Sequence, residues 1–167
     1  MHNELTQQDI RMMQQELDER RIHLRPKLLE EVKVARGFGD LSENFEYKAA
    51  KREKNRNESR IRYLERMIKT AVVVSDTSEE GKVGLFDRVT VWVEEDEEEQ
   101  TYRIVTTVRQ DVLDNRVSNQ SPFGKAMLGK AVGERVYIPV NDGYGYYVVI
   151  RAIEKGQDDG SIPINEF

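Results

Sequence analysis

Asp40 and Glu43 stand three residues apart in ARGFGDLSENFEY, residues 35–47, between two long helix-forming stretches. Carboxylates at this spacing have two uses. As a D-x-x-E capping box, Asp40 is the N-cap of a second helix and Glu43 its third position, and acid in a first turn complements the helix dipole. As exposed oxygen ligands, the pair is half of a magnesium site. Mg²⁺ wants near-octahedral oxygen coordination and is usually held by one or two carboxylates plus substrate phosphates. Two carboxylates alone are therefore competent only inside another protein's active centre, and an independent hydrolase is not expected. Capping accounts for the acids but not for their place at the end of a long hairpin, where no core needs them.

Behind the pair, Lys48, Lys51, Arg52, Lys54, Arg56, Arg60 and Arg62 make the second helix basic. A basic helical face is either solvated surface or a contact for a phosphate backbone, which needs Lys and Arg on one accessible side. An acidic point backed by basic residues suits metal chemistry at the end of a nucleic-acid strand.

The elements that position these groups follow from two hydrophobic periods. Ile10, Met13, Leu17, Leu24, Leu28, Val32 and Ala35 recur at helical steps, and so do Tyr47, Ala50, Lys54, Asn57, Ile61, Leu64, Ile68 and Ala71. Thr6 with Asp9 starts the first helix near residue 7, and Pro26 should kink it. The glycine-containing turn folds the two arms into an antiparallel hairpin in which Ala35 faces Tyr47, Leu28 faces Lys54 and Leu24 faces Asn57. Arms of about 30 residues predict a rod of roughly 45 Å. Arg20, Arg21, Lys33, Arg52, Arg56 and Arg62 fall off the seam, on its outside.

After Ala71 the pattern changes to β-branched and aromatic runs: AVVVS, RVTVWV, TYRIVTTV, ERVYIPV and YGYYVVIRAI. Ser121-Pro122 begins a short helix ending at Gly129. EEDEEE, residues 94–99, reads as a solvated hairpin loop, and Trp92, Tyr102, Tyr137 and Tyr144 to Tyr147 serve the sheet. The tail GQDDGSIPINEF has turn composition and is expected to fray. The fold class is thus α+β in two domains: residues 1–75 a coiled-coil hairpin, residues 76–167 an antiparallel-sheet domain.

Charge divides along the same line. Residues 1–69 hold 16 Lys+Arg against 13 Asp+Glu, a net of +3, while residues 70–167 hold 10 against 18, a net of −8. Apolar residues make up 38% and charged residues 34%, with a mean hydropathy of −0.71, which suits a molecule with much solvated surface. Absence of cysteine excludes disulfides and thiolate zinc sites, and two histidines do not make a histidine-rich metal site. No run approaches the roughly 18 apolar residues of a membrane span. MHNELTQQDI lacks a signal-peptide core, so a cytoplasmic location without a membrane partner is expected.

LRPKLLEEVKVARGFGDLSENFEYKAAK and RIRYLERMIKTAVVV together resemble the N-terminal coiled coil of the bacterial Gre transcript-cleavage factors. VSNQSPFGKAMLGKAVGERV resembles the signature of their FKBP-like C-terminal domain. The resemblance implies a transcription elongation factor whose coiled coil enters the secondary channel of RNA polymerase. There it stimulates the polymerase's own hydrolysis of backtracked RNA. Asp40 and Glu43 fall on the family's tip acids, which help hold a second Mg²⁺ within the polymerase complex and position the attacking water. The partners implied are RNA polymerase and the nascent RNA 3′ segment, with Lys48, Lys51 and Arg52 as the RNA-contacting face. The chain departs from the family pattern at Phe45, usually a small residue, and in TTVRQDVLDN, which lacks the usual Gly and Glu. Two other readings stay open: a Gre-like occupant of the same channel that inhibits, and an FKBP-like isomerase or chaperone.

Overall fold

The computed structural model describes residues 3–39 and 44–166. The chain forms two compact units, residues 10–71 and residues 3–9 with 72–166.

In the first unit, α1 (Gln7–Glu19) runs through a π-helical segment, Arg20–Leu24, into α2 (Arg25–Arg36), and α3 (Phe45–Lys69) supplies the opposing arm. Thr6 and Asp9 form the expected reciprocal cap, Thr6 N–H donating to Asp9 at 2.9 Å and Asp9 N–H to Thr6 Oγ1 at 3.1 Å. The π segment explains how the helix accommodates Pro26, which has no N–H for Ile22 and whose ring crowds that carbonyl. Widening the preceding turn resolves both, and Arg25 N–H reaches back five residues to the Arg20 carbonyl.

Met13, Leu17, Leu28, Val32 and Ala35 are buried on one arm, and Ile61, Leu64 and Met67 on the other. Between them the packing is polar. Arg60 makes a two-pronged contact with Glu16 at 2.7 and 3.0 Å, and Asn57 accepts from Arg20 at 2.9 Å. Two sequence-based placements change here. Arg20, off the seam by its spacing, reaches Asn57 of the opposing arm, and Arg60 is buried rather than solvated. Arg25 binds Glu58 at 2.8 and 2.9 Å.

Burial works to raise the Glu16 carboxyl, but Arg60 and Arg20 outweigh it and hold it below the ordinary glutamate range. The hydrogen bond from Arg25 does the same for Glu58. Carboxylates depressed by folding stabilise the protein above their unfolded pKa, and that contribution is lost as pH falls through the folded pKa. Helical circular dichroism should therefore show a melting temperature that falls below about pH 4.3. Glu16→Gln should flatten part of that fall, and an unchanged profile would assign the acid sensitivity elsewhere.

The second unit pairs β1 (Asn3–Leu5) with β2 (Ala71–Val73) and adds a five-stranded sheet. Its strands are β3 (Arg88–Val93), β4 (Glu98–Val105), β5 (Arg116–Ser118), β6 (Arg135–Asn141) and β7 (Tyr144–Glu154), in the order β5-β4-β3-β7-β6. The sheet is mixed, not antiparallel as the sequence suggests. The crossover after β4 is anchored by buried Val108 and Arg109, so β5 returns to the free edge of β4 and runs parallel to it. α4 (Pro122–Met127) closes the core, Phe123 and Met127 packing with Val89, Val91, Ile104 and Ile150.

The acidic run is not simply a solvated loop. Glu98 and Glu99 belong to β4, Glu94 is bound by Arg135 at 2.8 and 2.9 Å, and Glu95 accepts from Tyr144. The tail is also tied down through its described residues. Asp158 is buried against Arg109, Ile164 is buried, and Asn165 N–H donates to the Val108 carbonyl at 2.8 Å. Its turn-forming Asp residues make local turns, Gly160 and Ser161 N–H donating to Asp158 and Asp159, while other atoms reach the fold.

Candidate functional loop and basic helix face

α2 ends in a tight turn, with Gly37 N–H donating to Val34 and Phe38 N–H to Ala35. Gly39 follows at φ +121°, a conformation that side chains with a Cβ rarely adopt. α3 is capped by Asn44, whose Oδ1 accepts from Tyr47 N–H at 2.9 Å. Its Nδ2 donates to the Ala35 carbonyl at 2.6 Å, so one amide caps the second arm and ties it to the first. This corrects the assignment of Asp40 as N-cap with Glu43 at the third position. Asn ranks with Asp as a cap, and spacing alone did not choose between them. Asp40 and Glu43 themselves lie outside the described residues. Asn44→Ala should lower stability by about 1–2 kcal/mol in urea unfolding, because the cap and the tie are lost together. Asn44→Asp should recover the cap alone.

Immediately after the cap, Lys48, Lys51 and Arg52 are exposed on α3. Spaced i, i+3 and i+4, they share one helical face. Lys48 approaches the Phe45 ring at 5.8 Å, and Lys51 and Arg36 approach Tyr47 at 6.0 and 5.6 Å. Phe45, the departure from the family pattern, is 81% exposed. Farther along, Arg56 and Arg62 make exposed contacts with Glu53 and Ser59, and Arg60 is buried against Glu16. The expected basic face thus loses Arg60.

Among the described residues no group of three or more His, Cys, Asp or Glu is arranged to hold a metal. In the second unit, Tyr102, Phe123, Tyr144 and Tyr146 line a cleft of about 210 Å³ with Glu95 and Asp96, and Tyr102 and Tyr146 pack against the sheet core. Sequence reasoning missed a buried ionic trio. Arg109 Nε lies 2.9 Å from Asp9, and its two Nη atoms donate to Asp158 at 2.9 and 2.8 Å. Arg109 comes from the divergent TTVRQDVLDN segment, and its partners are too distant in sequence to give any signal.

A helical hairpin with an exposed basic face, joined to a mixed-sheet unit closed by the SPFGKAM helix, defines a two-domain α+β protein. Residues 3–73 match the family described as "Transcription elongation factor, N-terminal", and residues 78–155 match "Transcription elongation factor, GreA/GreB, C-term". The chain belongs to the GreA/GreB family of transcription elongation factors. It is 37% identical over 139 residues to transcription elongation factor GreA of Staphylococcus aureus strain JH9, covering 83% of this chain and 88% of that one. Among solved structures, GreA factor homolog 1 (Gfh1) of Thermus thermophilus is 26% identical with a TM-score of 0.44, covering 93% of this chain and all of the other. A GreA/GreB factor from Nitrosomonas europaea is 26% identical with a TM-score of 0.40, covering 57% of this chain and 79% of the other. No helix among the described residues is long and apolar enough to cross a membrane.

Proposed function

We propose that this protein inserts its helical hairpin into the secondary channel of RNA polymerase and stimulates the polymerase's Mg²⁺-dependent cleavage of backtracked RNA. It acts as a cofactor protein and rescues arrested complexes. The observation that carries this reading is the capping of α3 by Asn44, which serves the helix start without Asp40 and leaves the acids of residues 40–43 for another role. Asp40 and Glu43 offer hard carboxylate oxygens, a donor set that fits Mg²⁺ as a half-site. Asp40 and Glu43 would hold Mg²⁺ within the polymerase complex, where it would supply Lewis-acid activation of water. Lys48, Lys51 and Arg52 neutralise phosphates of the extruded RNA 3′ segment and guide it to the loop.

The test is direct. Added to stalled, backtracked elongation complexes, the protein should shorten the RNA from its 3′ end and restore elongation. Longer pausing without shortened RNA would make it an inhibitor occupying the same channel. Lys51→Ala with Arg52→Ala should slow cleavage most in deeply backtracked complexes and at low salt, and raising Mg²⁺ should not restore the rate. Equal rates and equal salt slopes would leave this face as solvated surface.

A further inference from the structure

The outer face of the five-stranded sheet holds a row of like charges. Alternation along β3 sends Val89, Val91 and Val93 into the core and Arg88, Thr90 and Trp92 to the other face. In the sheet register Arg88 stands across from Arg103 on β4, and Arg103 across from Arg116 on β5. Three guanidinium-bearing residues therefore occupy one cross-strand row, at strand spacings of roughly 4.8 Å. Like charges directly opposite each other destabilise a strand pair.

Among the described residues, only one of the three has a carboxylate partner. Arg116 is bound by Asp114, lies 3.5 Å from Asp111 and donates from Nε to the Arg109 carbonyl at 3.0 Å. Neither Arg88 nor Arg103 makes a side-chain hydrogen bond or ion pair with a described residue, and Arg103 Nε is buried without an acceptor. Asp159 feels Arg103, but its carboxyl is lowered chiefly by hydrogen bonds from Ser161. Glu154 is the β7 register partner of Arg88, and no ion pair joins them.

The row opens into a cavity. Arg88, Arg103 and Arg116 line a space of about 260 Å³ together with Thr101, Asn115 and Asp114. That is several times the ~30 Å³ share of one water molecule. Asp114 is already engaged by Arg116 and the Thr101 hydroxyl shares a 2.8 Å hydrogen bond with Thr90, which leaves the guanidinium forks of Arg88 and Arg103 lining the space. A guanidinium pairs best with a planar or tetrahedral oxyanion through two parallel hydrogen bonds. Two such forks on adjacent strands match two linked phosphates better than one. No aromatic side chain lines the cavity to stack a base, so recognition is of the phosphates.

We infer that the Arg88–Arg103–Arg116 row is a binding site for a di- or triphosphate group, free or as the phosphate end of a nucleotide. The full chain should be titrated with inorganic pyrophosphate, tripolyphosphate, ADP and sulfate in low-salt buffer, by calorimetry and thermal unfolding. Pyrophosphate and tripolyphosphate should bind and raise the melting temperature, and added salt should weaken both effects. ADP equal to pyrophosphate identifies the phosphates alone as the ligand, and tighter ADP binding identifies a nucleotide. Either supports the site.

Arg88→Gln with Arg103→Gln should weaken binding by at least about tenfold. Without an anion, Arg103→Gln should leave the melting temperature unchanged or raise it, since a like-charge neighbour is gone. No response of the parent protein to pyrophosphate and tripolyphosphate would overturn the inference, and a lower melting temperature in Arg103→Gln would then make the row structural. Equal binding of sulfate would overturn it as general screening. A single-stranded oligonucleotide that displaces pyrophosphate through the same arginines would overturn it in favour of a nucleic-acid surface.

Discussion

Asp40→Ala and Glu43→Ala are each expected to lower RNA cleavage in backtracked elongation complexes about a hundredfold, with little change in melting temperature or polymerase binding. A lost metal ligand removes several kcal/mol of transition-state stabilisation, and about 1.4 kcal/mol is a factor of ten in rate. A lost helix cap costs about 1 kcal/mol of stability and leaves chemistry intact. The structure separates these effects, because the α3 cap is Asn44. Comparing Asn44→Ala with the two acid variants therefore tests role against role. Asn44→Ala should melt earlier and still cleave when folded. The acid variants should melt normally and fail to cleave. Cleavage at the parental rate by either acid variant would end the metal reading.

Arg109→Met should destabilise the second unit by about 3–5 kcal/mol, because removing one member of a buried ionic cluster leaves its partners charged and unpaired. Asp9, Arg109 and Asp158 have side chains that are 0%, 0% and 1% exposed. A loss of that size is a large share of the roughly 5–15 kcal/mol by which domains are stable. The single tryptophan, Trp92 on β3, reports this unit, so urea unfolding followed by its fluorescence measures the effect. Asp9→Asn with Arg109→Met and Asp158→Asn should recover much of the loss, since no unpaired charge remains. Equal stability of parent and Arg109→Met would show that the cluster is better solvated than its geometry indicates.

Local chemistry was legible in the sequence. Thr6-x-x-Asp9 closes its own cap, RVTVWV is β3 residue for residue, and Ser121-Pro122 begins α4 with Ser121 accepting from Gly124 N–H. The SPFGKAM signature also proves to be a packing motif. Phe123 meets the Tyr102 ring at 4.9 Å with the two planes tilted by 60°, and a Cβ on Gly124 would stand 2.1 Å from the Ser118 carbonyl. Interactions within four residues, and a period of two or 3.6, are written into the order of the chain.

What the order of residues left open was decided by partners brought from far away. Asp and Asn are equivalent caps on paper, and the Ala35 carbonyl, supplied by the other arm, accompanies the choice of Asn44. Pro26 announces a disturbance, but neither the π turn that precedes it nor the hydrogen bond from Arg20 to the opposing Asn57 can be read from it. The parallel β5 and the anchored tail depend on Arg109, whose charge needs carboxylates from residues 9 and 158 once it is buried. An arginine on a strand gives no sign of its neighbours, so the row from Arg88 through Arg103 to Arg116 exists only in the register of three strands. Burial makes a charge demand a partner, and sequence distance places no limit on where that partner comes from.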